Sequence, residues 1–571
     1  MVLHVVHNLP CITSCIGYFN SEKLCTLIQF TILMNKWFDE TEASLEMLGA
    51  FMISTLAKHE PLPREKLIGC RDLLNCMLVC RRLRDLLKNS MLWTYQRELE
   101  RDGLIDGFST LTTLVKLEKL LDRRRRWRGF DPISVETISI PFSPGPCSLI
   151  GGVFARVVAG PSPGTSCVGV LELPSGDGPV QDVLVSSRSW TNIIALAIDP
   201  TQDLLVVLNR NLDPDSGFFL NFTTLFTQKS HPRARKPCLK MLSGLSGPED
   251  FQLAGNLVAV QTPDELSVAV WNWQMGCLVW VCRNSSGFAF LSPSLWISIN
   301  IHVPPEIRLE LYYMDKSATC IAYLLLPPHR RENDEVFRLR REEICLEAPR
   351  LGGSSSTAPF ITSPEKGLLL IGYPCERLLE GEICDELAFI LVFKTSGIFR
   401  LLTEICIDPP PARDKIPLYP WSRWAQSEVA VLESDDPVVG FAERMHGQRI
   451  IFNEFDWNAR HGAERHLTTV FDDSGAAAEG RPLGRPAPIC TSAESEFLLD
   501  FEAPNPPIKR LKMNVKAIQA MGHFGDCFLD QNYILALQGN IHPHLEDDDE
   551  VPEPQLDAGP NRKLIKLWRM G

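Results

Sequence analysis

The 571-residue sequence lacks the short motifs that identify most enzyme chemistries. It contains no H-E-x-x-H zinc pair, no P-loop, no G-x-S-x-G nucleophile turn and no G-x-G-x-x-G dinucleotide loop. The closest histidine pair, His542 and His544, lies beside five consecutive acidic residues at 546–550. We interpret this segment as a solvated polar loop in preference to a metal site. The sequence therefore predicts no catalytic residue, no metal and no cofactor.

The sequence also lacks a C-x-x-C cysteine pair and a membrane-spanning stretch. Eighteen cysteines are present, yet none forms a C-x-x-C pair, which is the commonest zinc and redox spacing. Many lie inside apolar runs, so we expect reduced, buried cysteines in a cytoplasmic or nuclear protein. No stretch reaches the 18 apolar residues that a membrane span needs, so no membrane partner is expected.

The charge is unevenly distributed along the chain. Lys and Arg total 57 and Asp and Glu total 70, for a net charge of −13, which argues against nucleic acid as the main partner. Residues 61–130 nevertheless hold 16 basic and 9 acidic side chains, a net charge of +7. The rest of the chain must then carry −20. The chain as a whole is 45% apolar and can bury large cores.

Residues before about 130 show helical periodicity. Apolar residues recur at three- and four-residue spacing between Leu73 and Leu87, and again between Leu111 and Leu121. The arginine-rich segment 123–128 follows the second stripe. Two interpretations of it remain open. It is a solvated helix end that complements the helix dipole, or it is a patch that binds an anion or a partner.

Beyond residue 150 the pattern changes to short apolar runs separated by Gly, Pro, Asp and Asn. Segment 267–281 predicts a hairpin that turns at Gly276, because glycine accepts the positive φ such turns require. Many short strands fit a sandwich, a barrel or a propeller, and the length of this region favours an irregular propeller. We expect the strand at Leu564–Trp568 to pair with an early strand and close the domain.

One segment resembles an F-box. Its opening matches the Leu-Pro-x-Glu start of that family, and its end matches the Val-Cys-Arg core and the closing Leu-Trp pair. The matching residues are Leu62, Pro63, Glu65, Asp72, Leu73, Leu74, Val79, Cys80, Arg81, Leu86, Leu92 and Trp93. Leu83 replaces the usual aromatic residue. Only residues 66–71 separate Glu65 from Asp72, so the first helix is about a turn and a half shorter than in the family.

The resemblance continues through residues 95–127 and, more loosely, to Trp421, Trp424 and the segment 445–450. These features are similar to a large group of fungal F-box proteins with a divergent propeller-like domain. The resemblance implies a chain of both helical and β domains, in which a small all-α F-box-like module precedes a large, mainly-β, irregular propeller-like domain. We assign 1–58 to a poorly defined extension, 59–95 to the F-box-like module, 96–132 to a helical linker and 135–571 to the β domain.

In that family the F-box docks a Skp-type adaptor, which links it to a cullin-RING ubiquitin ligase. The resemblance implies the same adaptor here, without enzymatic activity. The implied adaptor-binding residues are Leu62, Pro63, Leu73, Leu74, Val79, Cys80, Arg81, Leu86, Leu92 and Trp93. The local charge of +7 suits an acidic partner.

Two functions stay open. One is a substrate receptor of the ligase, and the other is a propeller-type interaction scaffold with a decayed F-box and no ligase role. A hydrolytic propeller is a distant third. For the receptor we expect a protein substrate with basic segments. Most indoles should be core residues, and Trp421 and Trp424 are the best-placed substrate-binding anchors because they follow a proline-rich loop.

Overall fold

A computed structural model describes most of the chain after residue 80. The described residues are 81–129, 131–141, 145–174, 184–185, 188–210, 217–241, 250–262, 267–283, 285–300, 308–314, 317–326, 336–339, 345–347, 358–379, 382–407, 416–424, 429–434, 445–446, 449–455, 466–472, 514–518, 524–538 and 562–570. The chain divides into two compact units. One comprises Met1–Glu100 with Thr112–Leu117, and the other comprises Arg101–Leu111 with Glu118–Gly571.

The described part of the first unit is helical. Helix α1 (Arg81–Asn89) ends one residue before helix α2 (Met91–Arg101). Ser90 separates them and caps α2, because its hydroxyl accepts a 3.3 Å hydrogen bond from the Trp93 N–H. A third helix, α3 (Thr113–Gly129), begins in this unit and continues into the second.

The second unit is mainly β. Among the described residues its strands form one two-stranded sheet and seven sheets of four or five strands, and the seven larger sheets are numbered here in chain order. Sheet 1 has β3 (Cys147–Ile150), β4 (Val153–Ala159), β5 (Thr165–Glu172), β6 (Leu184–Val185) and β7 (Trp190–Thr191). Sheet 2 has β8 (Ile193–Asp199), β9 (Leu204–Arg210), β10 (Phe218–Thr224) and β11 (Cys238–Lys240). Sheet 3 has β12 (Asp250–Ala254), β13 (Leu257–Thr262), β14 (Ser267–Asn272) and β15 (Cys277–Cys282).

The other four sheets follow the same plan. Sheet 4 has β16 (Ser285–Ser292), β17 (Leu295–Asn300), β18 (Arg308–Met314), β19 (Ala318–Leu325) and β25 (Leu418–Tyr419); sheet 5 has β20 (Val336–Leu339), β21 (Cys345–Glu347), β23 (Leu368–Leu379), β24 (Glu382–Lys394) and β26 (Val429–Ser434). Sheet 6 has β27 (Met445–His446), β28 (Arg449–Phe455), β29 (His466–Asp472) and β30 (Asn514–Ile518); sheet 7 has β31 (Phe524–Leu529), β32 (Tyr533–Gln538), β33 (Arg562–Arg569) and β2 (Ser134–Pro141).

Among the described residues, five pairs of neighbouring sheets pack face to face. One apolar cluster joins Val157 and Val170 of sheet 1 to Leu196 and Val207 of sheet 2. Equivalent clusters join sheets 2 and 3, 3 and 4, 4 and 5, and 7 and 1. The middle strands are therefore buried on both sides, which explains why β9 is a continuous apolar run without alternation.

Sheet 7 joins strands that are distant in sequence. Strand β33 pairs antiparallel with β32 on one side and with β2 on the other, so that Ile565 lies opposite both Ile138 and Leu537. The expected pairing of the Leu564–Trp568 strand with an early strand is confirmed. The four-stranded antiparallel sheets and few helices are consistent with a β-propeller-like domain.

Several elements differ from the sequence-based expectation. The charged region near residue 336 contains strand β20, and two helices, α4 (Ser396–Ile407) and α5 (Trp421–Trp424), interrupt the β pattern. A short strand, β1 (Leu104–Asp106), pairs with β22 (Phe360–Thr362) apart from the seven sheets. None of the described helices is both long and apolar enough to cross a bilayer.

Candidate functional site

The structure describes only part of the predicted adaptor surface. Six of its residues lie outside the described part of the chain: Leu62, Pro63, Leu73, Leu74, Val79 and Cys80. Arg81 is exposed at the start of α1, and Leu86 lies within that helix. The closing pair of the motif is split, because Leu92 is 37% exposed whereas Trp93 is only 4% exposed. Leu92 is therefore accessible to a partner, and Trp93 is a packing residue.

The two indoles expected at a substrate surface are core residues. Trp421 and Trp424 belong to the cluster between sheets 4 and 5, where both rings meet Phe393 edge to face. The Trp424 indole N–H donates a 3.0 Å hydrogen bond to the Leu325 carbonyl. The structure corrects their expected surface position, because helix α5 turns both rings inward and leaves Arg423 exposed between them.

The most concentrated set of buried polar groups lies where the end of α3 meets the β sheets. We call it the anchor cluster and define it as Asp102, Arg123, Arg124, Trp127, Thr362, His446, Arg449, Asp530 and Gln531, all in the second unit. Helix α3 supplies three of these side chains at helical spacing, so that Arg123, Arg124 and Trp127 share one buried face. The next arginines point away: Arg125 and Arg126 each form a 2.7 Å ion pair with Asp122.

This arrangement matches neither interpretation of the arginine run. Arg123 and Arg124 are buried whereas Arg125 is exposed, so the run is neither wholly solvated nor a continuous exposed patch. Asp102 accepts a 2.8 Å hydrogen bond from Arg124 Nε, and the Arg449 guanidinium lies 4.4 Å above the Trp127 ring. Within the second unit, the run therefore joins the second half of α3 to the segment at Asp102 and to strand β28.

A second set of contacts ties the linker strand β1 to the same place. Arg123 donates a 2.7 Å hydrogen bond to the Gln531 carbonyl, and Gln531 Nε2 donates a 2.7 Å bond to the Phe360 carbonyl. Phe360 belongs to β22, the partner of β1. Where β1 ends, a Cβ on Gly107 would lie 2.1 Å from the Ala358 carbonyl oxygen, so only glycine fits this approach.

The third part of the anchor cluster connects sheets 6, 7 and 1. His446 Nε2 lies 2.8 Å from the Thr362 hydroxyl, and His446 Nδ1 lies 3.9 Å from Asp530. Asp530 accepts hydrogen bonds from the backbone N–H groups of Gly151 and Gly152, the latter at 2.6 Å. Because Asp530 belongs to the first turn of sheet 7 and these glycines to the first turn of sheet 1, the carboxylate connects the two sheets.

Burial dominates the electrostatics of the cluster. It raises the pKa of Asp102, while the charge and hydrogen bond of Arg124 and the charges of Arg449 and Arg123 oppose the rise. Burial also lowers the pKa of His446. The carboxylate of Asp530 opposes that change, and Arg123 and Arg449 reinforce it, so His446 is neutral near pH 7.

The contacts described above join parts of this chain to one another. One of them brings a hydroxyl to a base, because Thr362 lies within hydrogen-bonding distance of His446, and Asp530 lies on the other side of that ring. Among the described residues, no group of three or more His, Cys, Asp or Glu side chains is placed to hold a metal. The contacts of the cluster connect α3 and β22 to the turns of sheets 6, 7 and 1. Sequence patterns pointed to 123–127 and 445–450 but gave no signal for Asp530 or Gln531, which lie in a turn.

No protein-family model matches this chain, and no curated protein matches it. Among solved structures, Kluyvelomyces marxianus Hsv2 is 8% identical, with a TM-score of 0.33 over 69% of this chain and 88% of that one. A eukaryotic initiation factor is 11% identical, with a TM-score of 0.30 over 75% and 86%. The polysaccharide lyase Uly1 is 8% identical, with a TM-score of 0.31 over 75% and 91%. Likenesses at this level carry no inference about activity.

Proposed function

We propose that this chain is a non-catalytic substrate receptor of a cullin-RING ubiquitin ligase. Its F-box-like module would bind a Skp-type adaptor, and its β domain would bind a protein substrate. The observation that carries the proposal is the F-box-like motif at 62–93. An F-box-like module needs residues that meet the adaptor and residues that hold its helices together. The last two residues of the motif fit these two roles, because Leu92 is exposed and accessible to a partner whereas Trp93 is buried and supports the helix.

We further propose that the β domain is a closed seven-bladed propeller, in which each sheet is one blade and sheet 7 closes the ring. Three observations support this. Seven of the sheets among the described residues have four or five strands, five apolar interfaces join successive sheets, and β2 completes the last sheet. In such a ring the strands seal one another, so partners meet the connections at the two ends.

The charge of the strand connections indicates which end of the proposed propeller binds a partner and which charge that partner carries. The anchor cluster occupies the end formed by turns between the first and second strands of the sheets. The opposite end receives the connections between the second and third strands. Those connections contain 15 acidic and 2 basic residues: 160–164, 211–217, 263–266, 301–307, 380–381, 456–465 and 539–561. We propose that this end binds lysine- and arginine-rich protein segments.

Co-purification with a recombinant Skp-type adaptor tests the ligase role. The full chain should retain the adaptor, and the double variant Leu73→Asp and Leu74→Asp should lose it, because a charge would enter an apolar contact. Leu184→Asp, at an exposed leucine of the β domain, is the matched control and should bind as the wild type does. Equal retention of the double variant would remove the ligase proposal.

The shortened first helix supports a second candidate, an interaction scaffold with a decayed F-box. That scaffold would keep the β domain and its partners and would not bind the adaptor. The same co-purification separates the two candidates, since a wild-type chain that fails to retain the adaptor while binding a lysine-rich probe peptide is a scaffold. Binding of that peptide should weaken as salt rises.

A further inference from the structure

The outer strands of the seven sheets are not equally protected against pairing with another chain. An exposed edge strand is usually blunted by shortness, charge or a covering segment. Strands β6, β7 and β11 have two or three residues, while β2, β26 and β30 each contain a charged residue. Strand β15 differs, because it has six residues, Cys-Leu-Val-Trp-Val-Cys, and no charge.

The neighbouring sheet shows how such an edge can be covered. Strand β19 is also uncharged, and β25 adds a fifth strand beside it in parallel, with Tyr323 opposite Leu418 and Leu324 opposite Tyr419. The Tyr323 N–H donates a 2.8 Å hydrogen bond to the Pro417 carbonyl. This pairing begins two residues after Ile321, the extra residue of a β-bulge in β19.

Strand β15 has the same local design without the added strand. Val270 pairs with Trp280 and Trp271 with Leu278, so Val279 is the extra residue of a bulge. The equivalent positions, two and three residues further on, are Val281 and Cys282. No described segment pairs with the outer edge of β15.

Apolar side chains are exposed along this edge. Leu278 is 43% exposed and Val281 is 41% exposed, and Met275 in the preceding turn is also exposed. Their cross-strand partners Trp271 and Ala269 belong to the core between sheets 2 and 3. Residues opposite each other in a pair project to the same face, so Leu278 and Val281 lie on the side of sheet 2.

The surroundings of the β14–β15 turn, which leads into this edge, are basic. The loop before β11 contributes Arg233, Arg235 and Lys236, and it is held against the β14–β15 turn by a 3.0 Å hydrogen bond from the Arg235 N–H to the Gln274 carbonyl. Lys236 packs against Gly276. Lys240 and Arg283 are exposed nearby in sequence, and neither segment 233–240 nor segment 271–283 contains an acidic residue.

We propose that β15 binds an extended partner peptide with alternating apolar and acidic side chains, which adds a fifth strand to sheet 3. The peptide backbone pairs beside Val281 and Cys282, as β25 pairs beside Tyr323 and Leu324. Its apolar side chains contact Leu278 and Val281, and its carboxylates lie near the basic residues. Cys282 pairs with Val268, two residues after the acidic connection 263–266, so the carboxylates of the peptide face the β14–β15 turn. The proposal does not depend on the ligase role.

The test mixes the full chain with a fluorescein-labelled nonapeptide of alternating valine and glutamate. Fluorescence anisotropy measures binding of the peptide. The wild type should bind this probe, and the charge-reversed peptide of valine and lysine should bind about tenfold more weakly or worse. A glutamate probe N-methylated on alternate residues, which lacks the donors on one edge, should lose binding. That loss distinguishes strand addition from simple charge attraction.

Leu278→Glu and Val281→Glu should each weaken binding about tenfold, because a like charge would face the glutamates on an otherwise apolar strand. Val135→Glu, at an exposed valine in the outer strand of sheet 7, is the matched control and should change nothing. Thermal melting checks that all three variants remain folded. Undetectable binding of the glutamate probe to the wild type, or unchanged binding of the N-methylated probe or of both β15 variants, would overturn the proposal. A concentration-dependent dimer that Val281→Glu dissociates would also overturn it, because the occupant would then be a second copy of this chain.

Discussion

The carboxylate of Asp102 and the guanidinium of Arg124 lie 2.8 Å apart, and their side chains are 0% and 6% exposed. Within the second unit, these residues join the segment before β1 to the buried face of the second half of α3. A buried pair of this kind stabilises a fold little compared with a well-packed apolar pair, but breaking it leaves one charge unpaired in the interior. The cost of a single substitution should therefore exceed that of a double substitution.

The first prediction follows from this asymmetry. Asp102→Asn should lower the free energy of unfolding by about 3 kcal/mol, because Arg124 loses its counter-charge. The double variant Asp102→Leu and Arg124→Met should be less destabilised than either single variant. Urea denaturation measures each of these differences. Asp122→Asn, in the exposed pairs of the same helix, should change stability by less than about 0.5 kcal/mol. Additive single effects would contradict the prediction.

Closure of sheet 7 gives the second prediction. Ile565 is fully buried in the core between sheets 7 and 1, so Ile565→Ala should cost about 2–5 kcal/mol through the cavity that it creates. Val135 lies in the paired strand β2 but is exposed, and Val135→Ala should cost less than about 0.5 kcal/mol. Denaturant midpoints of the two variants provide the comparison. Similar midpoints would mean that β33 does not contribute to the core.

The third prediction concerns pH. Burial, opposed by Asp530 and reinforced by Arg123 and Arg449, lowers the pKa of His446 below its usual 6.5. The unfolded chain therefore binds this proton more tightly than the folded chain, and stability should fall as pH drops through 6.5 towards the lower, folded-state pKa. Urea midpoints of the wild type and of His446→Gln, compared across this range, should show a shallower decline for the variant. Parallel declines would assign the pH dependence to other groups.

Trp424 provides the fourth prediction. Trp424→Ala should destabilise the protein by about 3–5 kcal/mol, because it removes a buried ring and its hydrogen bond to Leu325. Trp424→Phe should be intermediate. Arg423→Ala, at the exposed position between the two indoles, should have little effect. If Trp424→Ala keeps wild-type stability and loses partner binding, the indole is a binding anchor and not a core residue.

Local patterns predicted the parts of the fold that depend on neighbouring residues. The hairpin of β14 and β15 turns at Gly276 with φ of 66°, as its sequence indicates, and the strand from Val153 lies where its apolar run places it. The closing strand was predictable because a propeller-like domain has to cover its edges. Strand β2 was missed because half of its residues are polar, and the short strand β20 was missed because charged residues flank it on both sides.

The polar contacts of the anchor cluster could not be predicted from the sequence for a different reason. Asp530 meets Gly152 across 378 positions, and Asp102 meets Arg124 across 22, and neither pairing leaves a periodic trace in the sequence. For the two indoles of α5, the sequence carries a signal that fits two different positions. A tryptophan near a proline-rich loop suits a partner surface and a core equally well, and only the direction of α5 places Trp421 and Trp424 inside.

The pairing of β2 with β33 also has a consequence for synthesis on the ribosome. Pro141 of β2 pairs with Arg562, so β2 leaves the exit tunnel 421 residues before its partner. At typical translation rates this delay is roughly 20 to 80 seconds. Throughout that time β2 is an unpaired strand in a nascent chain. We expect chaperones to contact this segment during translation and to release it once β33 emerges.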